Sequence, residues 1–377
     1  MTATVSLKSK ALLYTFLCVF LLLLCTSGCE KKQDTEGGTE YPLEYARGFS
    51  AVRYDGYYVV DIGDDRFYIA DEGVSDENFP QGVSVIHKPV GNMYIASSSV
   101  MDMLCAIDSL DRAGFTSTDI DDWRIDEVIS AMEDEDLVYV GKYSSPDLEY
   151  LVSEHCSLAV ENTMIYHSPT VMDQLMTLGI PVMVERSSYE ESTEGRLEWI
   201  KLYGILCGKE TDAERFFDDA VSKLHSIGRN TPEIRKKAAF FYFTSTGTVN
   251  IRKPGDYISR LIELSGGEYA FTADMLNVDD NALATMSVTF ESFYSAAKDC
   301  DILFYNANII GEVQNISQLT EKQPLLADFE AVKSGEVYVV HSDMFQKSTA
   351  AAELAEEMQK AVNGELEKGK FIEKLDQ

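Results

Sequence analysis

Positive charge is what this sequence has least of. Its 377 residues carry 32 Lys and Arg against 63 Asp and Glu, a formal charge of −31. A surface of that sign repels phosphate backbones, which excludes nucleic acid as a partner. Histidine is scarce as well. His87, His155, His167, His225 and His341 show none of the paired spacing that a bare transition-metal site requires, so no metal ligands are assigned. The body cysteines, Cys105, Cys156, Cys207 and Cys300, contain no CxxC pair and no zinc spacing. They read as small buried apolar residues, with a disulfide left open by the oxidising conditions an exported chain meets. Catalytic signatures are missing too: there is no GxSxG, no HExxH and no GxxxxGK[ST]. Ser97, Ser98 and Ser99 sit at a strand-to-helix junction, yet no histidine pattern supplies the base a nucleophile needs, and such serines read as helix caps. No enzymatic activity and no cofactor are expected.

The longest apolar run, Ala11 to Cys25, falls short of the roughly 20 residues a membrane span requires. Lys8 and Lys10 precede it and the small residues Thr26, Ser27 and Gly28 follow, the pattern of a secretory signal over residues 1–28. With Gly28 before Cys29 the junction resembles a bacterial lipobox, and Cys29 is the expected lipidation site. Residues 29–44, polar and Gly-containing, read as a flexible tether. The body is thereby placed on the outer face of the cytoplasmic membrane, held by a lipid anchor.

From Tyr45 onward the pattern is α/β. Strand-like runs such as YYVVDIG, LVYVG, SLAVEN and IPVMVE alternate with helical stretches, which implies mainly parallel sheets flanked by helices. The alternation stops at about 190, gives way to helix over 191–228 with a break at Gly208, and resumes. Two lobes, 45–190 and 229–346, joined by a long linker helix and closed by a C-terminal helix within 347–377, are the expected architecture. Thr211 to Glu214 reads as a capping box. The halves also match: Glu149 and Glu291 each open a helix leading to a strand that ends in Asn162 or Asn306.

The segments LGIPVMVERSSYEESTEGRLEWIKLYGILCGKETDAERFF, GDYISRLIELSGGEY, VTFESFYSAAKDCDILFYNANI and GEVYVVHSDMFQ carry a resemblance. Together they resemble the helical-backbone class of ABC-importer substrate-binding lipoproteins, which take ferric siderophores, haem or cobalamin. The resemblance implies one stiff helix between the lobes, modest lobe movement, and docking on an ABC permease through Glu149 and Glu291. For the ligand, a metal chelate or macrocycle, aromatic faces near strand ends suit a large mixed surface. Tyr54, Tyr143, Tyr166, Tyr257 and Tyr305 are the candidates, with Ser98 at the helix start. Arg186 and Arg252 are placed to neutralise an anionic ligand group, and Arg252 reads as a solvated loop residue of little weight in folding. A lipid-anchored enzyme or ligand sensor on the same scaffold is the alternative. Cys29→Ala is expected to release the protein from membranes or leave it unprocessed. Continued labelling of that variant by a palmitate analogue would refute the anchor.

Overall fold

Alternation of buried and solvent-facing side chains builds the first sheet. Strands β1 (Phe49–Tyr54), β2 (Tyr57–Ile62) and β3 (Asp65–Ala70) form an antiparallel meander, and β4 (Val85–His87) adds parallel to β3. Phe49, Ala51, Tyr58, Val60, Ile62, Phe67 and Ile69 fall on one face by register, and all are buried. The computed structural model describes residues 37–229, 234–282, 284–307 and 313–377. Cys29 and the signal segment lie outside the described residues, and the folded body runs from Glu40 to Gln377.

The first lobe is completed by β5 (Met93–Ile95), α1 (Ser98–Ala106), β6 (Ala113–Thr116), α2 (Asp126–Glu133), β7 (Val138–Tyr139), α3 (Leu148–Ser153), β8 (Leu158–Asn162), α4 (Pro169–Thr177) and β9 (Val182–Glu185). Its sheet is parallel throughout, in the order β9-β8-β5-β6-β7. Every strand of it therefore delivers its following loop to the same edge.

Three helices follow, α5 (Thr193–Glu198), α6 (Ile200–Cys207) and α7 (Glu210–Gly228). The break at Gly208 is where the sequence places it: the residue takes φ 68°, a left-handed cap that ends α6 and lets α7 fold back on it. The single bridging helix expected from the resemblance is thus a hairpin with one 19-residue arm. Arm α6 packs on α1 of the first lobe and arm α7 on the second. The capping box at Thr211 is not formed, because α7 restarts directly after Gly208 and its N-cap is Lys209.

The second lobe contains β10 (Lys236–Phe243), β11 (Val249–Arg252), α8 (Tyr257–Leu264), β12 (Gly267–Tyr269), α9 (Ala273–Leu276), β13 (Thr285–Val288), α10 (Phe290–Ala297), β14 (Ile302–Asn306), α11 (Ile316–Lys322), α12 (Glu330–Ser334), β15 (Val337–Val340), α13 (Ala351–Asn363) and β16 (Ile372–Lys374). Its sheet is mixed, ordered β13-β11-β10-β14-β15-β16 with β12 also against β10. The C-terminal stretch is more than the expected helix: after α13 the chain returns to add β16 antiparallel to β15. One apolar core runs through both lobes by way of Leu197, Trp199, Leu202, Tyr203 and Leu206 of the linker, and a smaller one lies beneath α3 and α4.

Two buried carboxylates fasten the start of the chain to this linker. Glu198 accepts the N–H groups of Glu44 at 2.9 Å, Tyr45 at 2.7 Å and Ala46 at 2.8 Å, and the ammonium of Lys201 at 2.7 Å. Glu190 accepts Arg47 N–H at 2.9 Å, Gly48 N–H at 2.8 Å and the Trp199 indole N–H at 2.7 Å. A Cβ at position 48 would stand 2.8 Å from the Trp199 ring, so only glycine passes there. The expected tether therefore ends early: Tyr41 already bonds Ala51 through its N–H and Glu214 through its hydroxyl, drawn in by the apolar surface it covers.

The buried carboxylates give opposite pH slopes. Desolvation would raise the Glu198 carboxyl, but Lys201 and the three backbone donors outweigh it and hold it below its ordinary value. Its contribution is complete above the ordinary carboxylate range and is lost as pH falls through the depressed value. Glu161, wholly buried in β8 with no partner among the described residues, is pushed from 4.5 up to about 8 by burial. The native state keeps that proton while the unfolded chain releases it, so stability falls as pH rises between those values, by about 1.4 kcal/mol per unit. Glu198→Gln should cost about 3 kcal/mol at pH 7, fading towards pH 3. Glu161→Gln should flatten the fall from pH 5 to pH 8. Urea titrations across pH measure both, and a Glu161→Gln protein with the wild-type slope would refute the assignment.

Candidate ligand-binding site between the lobes

Because the first-lobe sheet is parallel, the loops after β5, β7, β8 and β9 share one edge, the usual place for ligands in open α/β sheets. Four of the residues singled out from sequence stand on those loops: Ser98, Tyr143, Tyr166 and Arg186. Ser98 opens α1, but the serine run caps nothing with its side chains, and the Ser97 and Ser99 hydroxyls instead meet at 2.8 Å. Tyr143 packs on the smaller core. Tyr166 is 48% exposed, in a helical turn after β8 whose backbone is set by Asn162 accepting the Met164 N–H. Three further apolar side chains stand out from the same edge: Tyr139, Met164 and Tyr189, at 37%, 48% and 56% exposure. Tyr189 is tied to the β8 loop through Thr163 at 3.4 Å. The sequence offers a signal for them only in their position at the end of predicted strands or just after them.

The linker and the second lobe meet in a cavity of about 20 Å³ lined by Thr193, Arg196, Tyr257, Phe345, Lys347 and Ser348. That volume holds a water rather than a macrocycle. Tyr257, a sequence candidate, carries the Arg196 guanidinium over its ring at 4.0 Å. The seam is latched by Asp102 of α1, which accepts Thr349 N–H at 2.6 Å and the Ser348 hydroxyl at 3.3 Å. Burial raises the Asp102 carboxyl against the pull of those donors. Gln346 adds two more links, accepting from Arg124 N–H and donating to the Asp122 carbonyl, both at 2.8 Å.

Three candidates belong elsewhere. Tyr54 stacks on Tyr57 at 5.0 Å in the first antiparallel sheet. Tyr305 is fully buried in the central strand β14, against Phe241 and Phe243. Arg252 is the last residue of β11 and no solvated loop residue: 13% exposed, it pairs with the buried Asp256 at 3.4 Å and lies over Phe345 at 5.4 Å. It supports the cavity wall from behind.

Glu149 and Glu291 are both exposed at the second position of a helix, behind the N-caps Asp147 and Thr289. Register puts Val288, Val249 and Phe243 in one row, so α10 begins at the same edge as the C-terminal end of β10. Its own N–H and the Thr289 hydroxyl hold the Glu291 carboxyl below its usual value. Among the described residues no three His, Cys, Asp or Glu side chains converge to hold an ion, and no helix is long and apolar enough to cross a membrane. The four body cysteines are free thiols there, with Cys207 and Cys300 pushed up to about 12 by burial.

Two α/β lobes bridged by a helical hairpin, with exposed aromatic side chains at the sheet edge of the first lobe, define a two-lobe solute-binding fold. The chain belongs to the periplasmic binding protein family, which it matches over residues 96–344. It is 21% identical over 225 residues to an uncharacterized lipoprotein of Methanocaldococcus jannaschii, a match covering 59% of this chain and 52% of that one. The chain thus spans about half the length of that relative. Among solved structures it is similar to a periplasmic binding protein of Veillonella parvula, with TM-score 0.62 and 16% identity over 84% of this chain and 98% of that one. The periplasmic haem-binding protein HutB of Vibrio cholerae matches with TM-score 0.56 and 16% identity over 70% and 97%. Arg252→Ala should leave Asp256 buried and unpaired, costing about 3 kcal/mol and several degrees of melting temperature. An unchanged melting curve would return Arg252 to the solvated-loop reading.

Proposed function

We propose that this protein is the extracytoplasmic substrate-binding component of an ABC importer. It captures a metal chelate or macrocycle, an iron siderophore, haem or cobalamin, between its lobes and delivers it to the permease. The observation that carries this reading is the set of solvent-facing Tyr139, Met164, Tyr166 and Tyr189 at the edge where the parallel strands of the first lobe end. Exposed aromatic faces at one sheet edge suit a large ligand of mixed polarity and cost little entropy to order. Family membership and the likeness to a structure named for haem support the same ligand class. Arg196 and Lys347, which line the cavity between linker and second lobe, supply positive charge for an anionic rim of the ligand. Lipidation at Cys29 holds the body at the membrane face, and Glu149 and Glu291, in matching places on the two lobes, register it on the permease.

Titration of the protein with siderophores, haem and cobalamin, alongside bare ferric, zinc and manganese ions, tests the ligand class. One chelate should bind at about 1 μM or tighter, and Tyr166→Ala or Tyr189→Ala should weaken it about fivefold to tenfold. Tight saturable binding of a bare ion with no response to any chelate would sink the reading. Reversing Glu149 and Glu291 to Lys together should abolish uptake in cells with ligand affinity in solution unchanged. Uptake at the wild-type rate removes their docking role.

A further inference from the structure

A second pocket, of about 370 Å³, opens where the chain enters its first sheet. Arg47, Ser50, Asp61, Gly63, Arg186 and Tyr189 line it, so it is built by the first lobe alone. In a chain with 63 acidic residues, arginines find partners easily: Arg53 pairs with Asp71, Arg66 with Asp61, Arg215 with Asp212 and Arg235 with Glu263. The guanidinium of the half-buried Arg186 makes no ion pair or hydrogen bond with any described residue. Its guanidinium lies against Gly63, where φ is +59° and a Cβ would meet Nη1 at 2.5 Å. Glycine at 63 is what leaves that space. Arg47 donates to the Ala46 and Glu44 carbonyls at 3.3 and 3.0 Å, which aims the side chain without neutralising it.

The one acid in the lining is already engaged. Asp61 is gripped by two nitrogens of Arg66 at 2.7 and 2.8 Å, and Glu190 is taken up by Arg47 N–H, Gly48 N–H and Trp199. Two guanidinium forks thus line one pocket without an ion pair of their own among the described residues, beside the hydroxyl-bearing Tyr189 ring and Ser50. Such forks match the planar geometry of carboxylate and phosphate groups. We propose that Arg47 and Arg186 form a second binding site, centred on this first-lobe pocket rather than on the interlobe seam, for the oxyanion of a small soluble carboxylate or phosphate. A net charge of −31 repels an anionic bilayer, which favours a soluble source over a lipid headgroup.

The test uses the full chain in detergent at low salt, titrated calorimetrically with citrate and with inorganic phosphate. At least one of them should bind saturably at a single site, and Arg186→Gln and Arg47→Gln should each weaken it about tenfold or more. Arg47 is exposed, so its variant keeps the test informative if Arg186→Gln melts early. Chelate binding by the Arg47→Gln sample should stay within about twofold of wild type, which separates this site from the cleft. No saturable binding of either anion, wild-type affinity in both variants, or binding only to phosphatidylglycerol vesicles would overturn the proposal.

Discussion

The fold hangs on two carboxylates buried between the linker and the first few residues of the body. A buried charge is tolerable only when its lone pairs are filled, and Glu190 and Glu198 fill theirs mainly with backbone N–H groups of residues 44–48. That choice of donor fixes backbone rather than side chain, so the path of the entering chain is set residue by residue. The first antiparallel sheet follows from that path, since Phe49 of β1 lies 4.9 Å from the Trp199 ring that Glu190 also holds. Arg47 is aimed by the same bonds.

The linker transmits this order to both lobes. A straight helix would touch each lobe only at its ends, whereas the reversal at Gly208 lays one arm along each. Trp199, Tyr203 and Leu206 then belong to a core shared by the lobes. Opening the seam is resisted at a second place by Asp102, whose buried carboxylate has donors only while Ser348 and Thr349 of the other lobe stay near.

Periodicity is enough to read two α/β lobes, the helical segment between them and the break at Gly208, because alternation, apolar stripes and a left-handed glycine are local properties. What escapes it is non-local. Nothing near Arg252 in sequence announces that Asp256 is buried beside it, and nothing in DILFYN distinguishes a tyrosine at a strand end from Tyr305 in a central strand covered on both faces. Glu198, in the middle of a helical run rich in acids, reads as a surface charge until the chain entering at Glu44 is laid against it. Tyr189 and Met164 go unmarked for the converse reason, since exposure is decided by neighbours that arrive from elsewhere.

Strand direction explains why one lobe presents its aromatic residues and the other encloses them. In the first lobe each parallel strand ends at the same edge, and Tyr139, Tyr166 and Tyr189 emerge there together. The second sheet is mixed: β11 runs back against β10, which carries Arg252 away from the edge to lie over Phe240, and Tyr305 lies within β14 between β10 and β15. Two antiparallel steps nevertheless restore the direction at β13, so Glu291 is delivered to the edge as Glu149 is in the other lobe. The match between the halves therefore holds for the helix-opening acids and fails for the tyrosines. Residues placed by the sheet edge alone are the ones a comparison of the halves can locate.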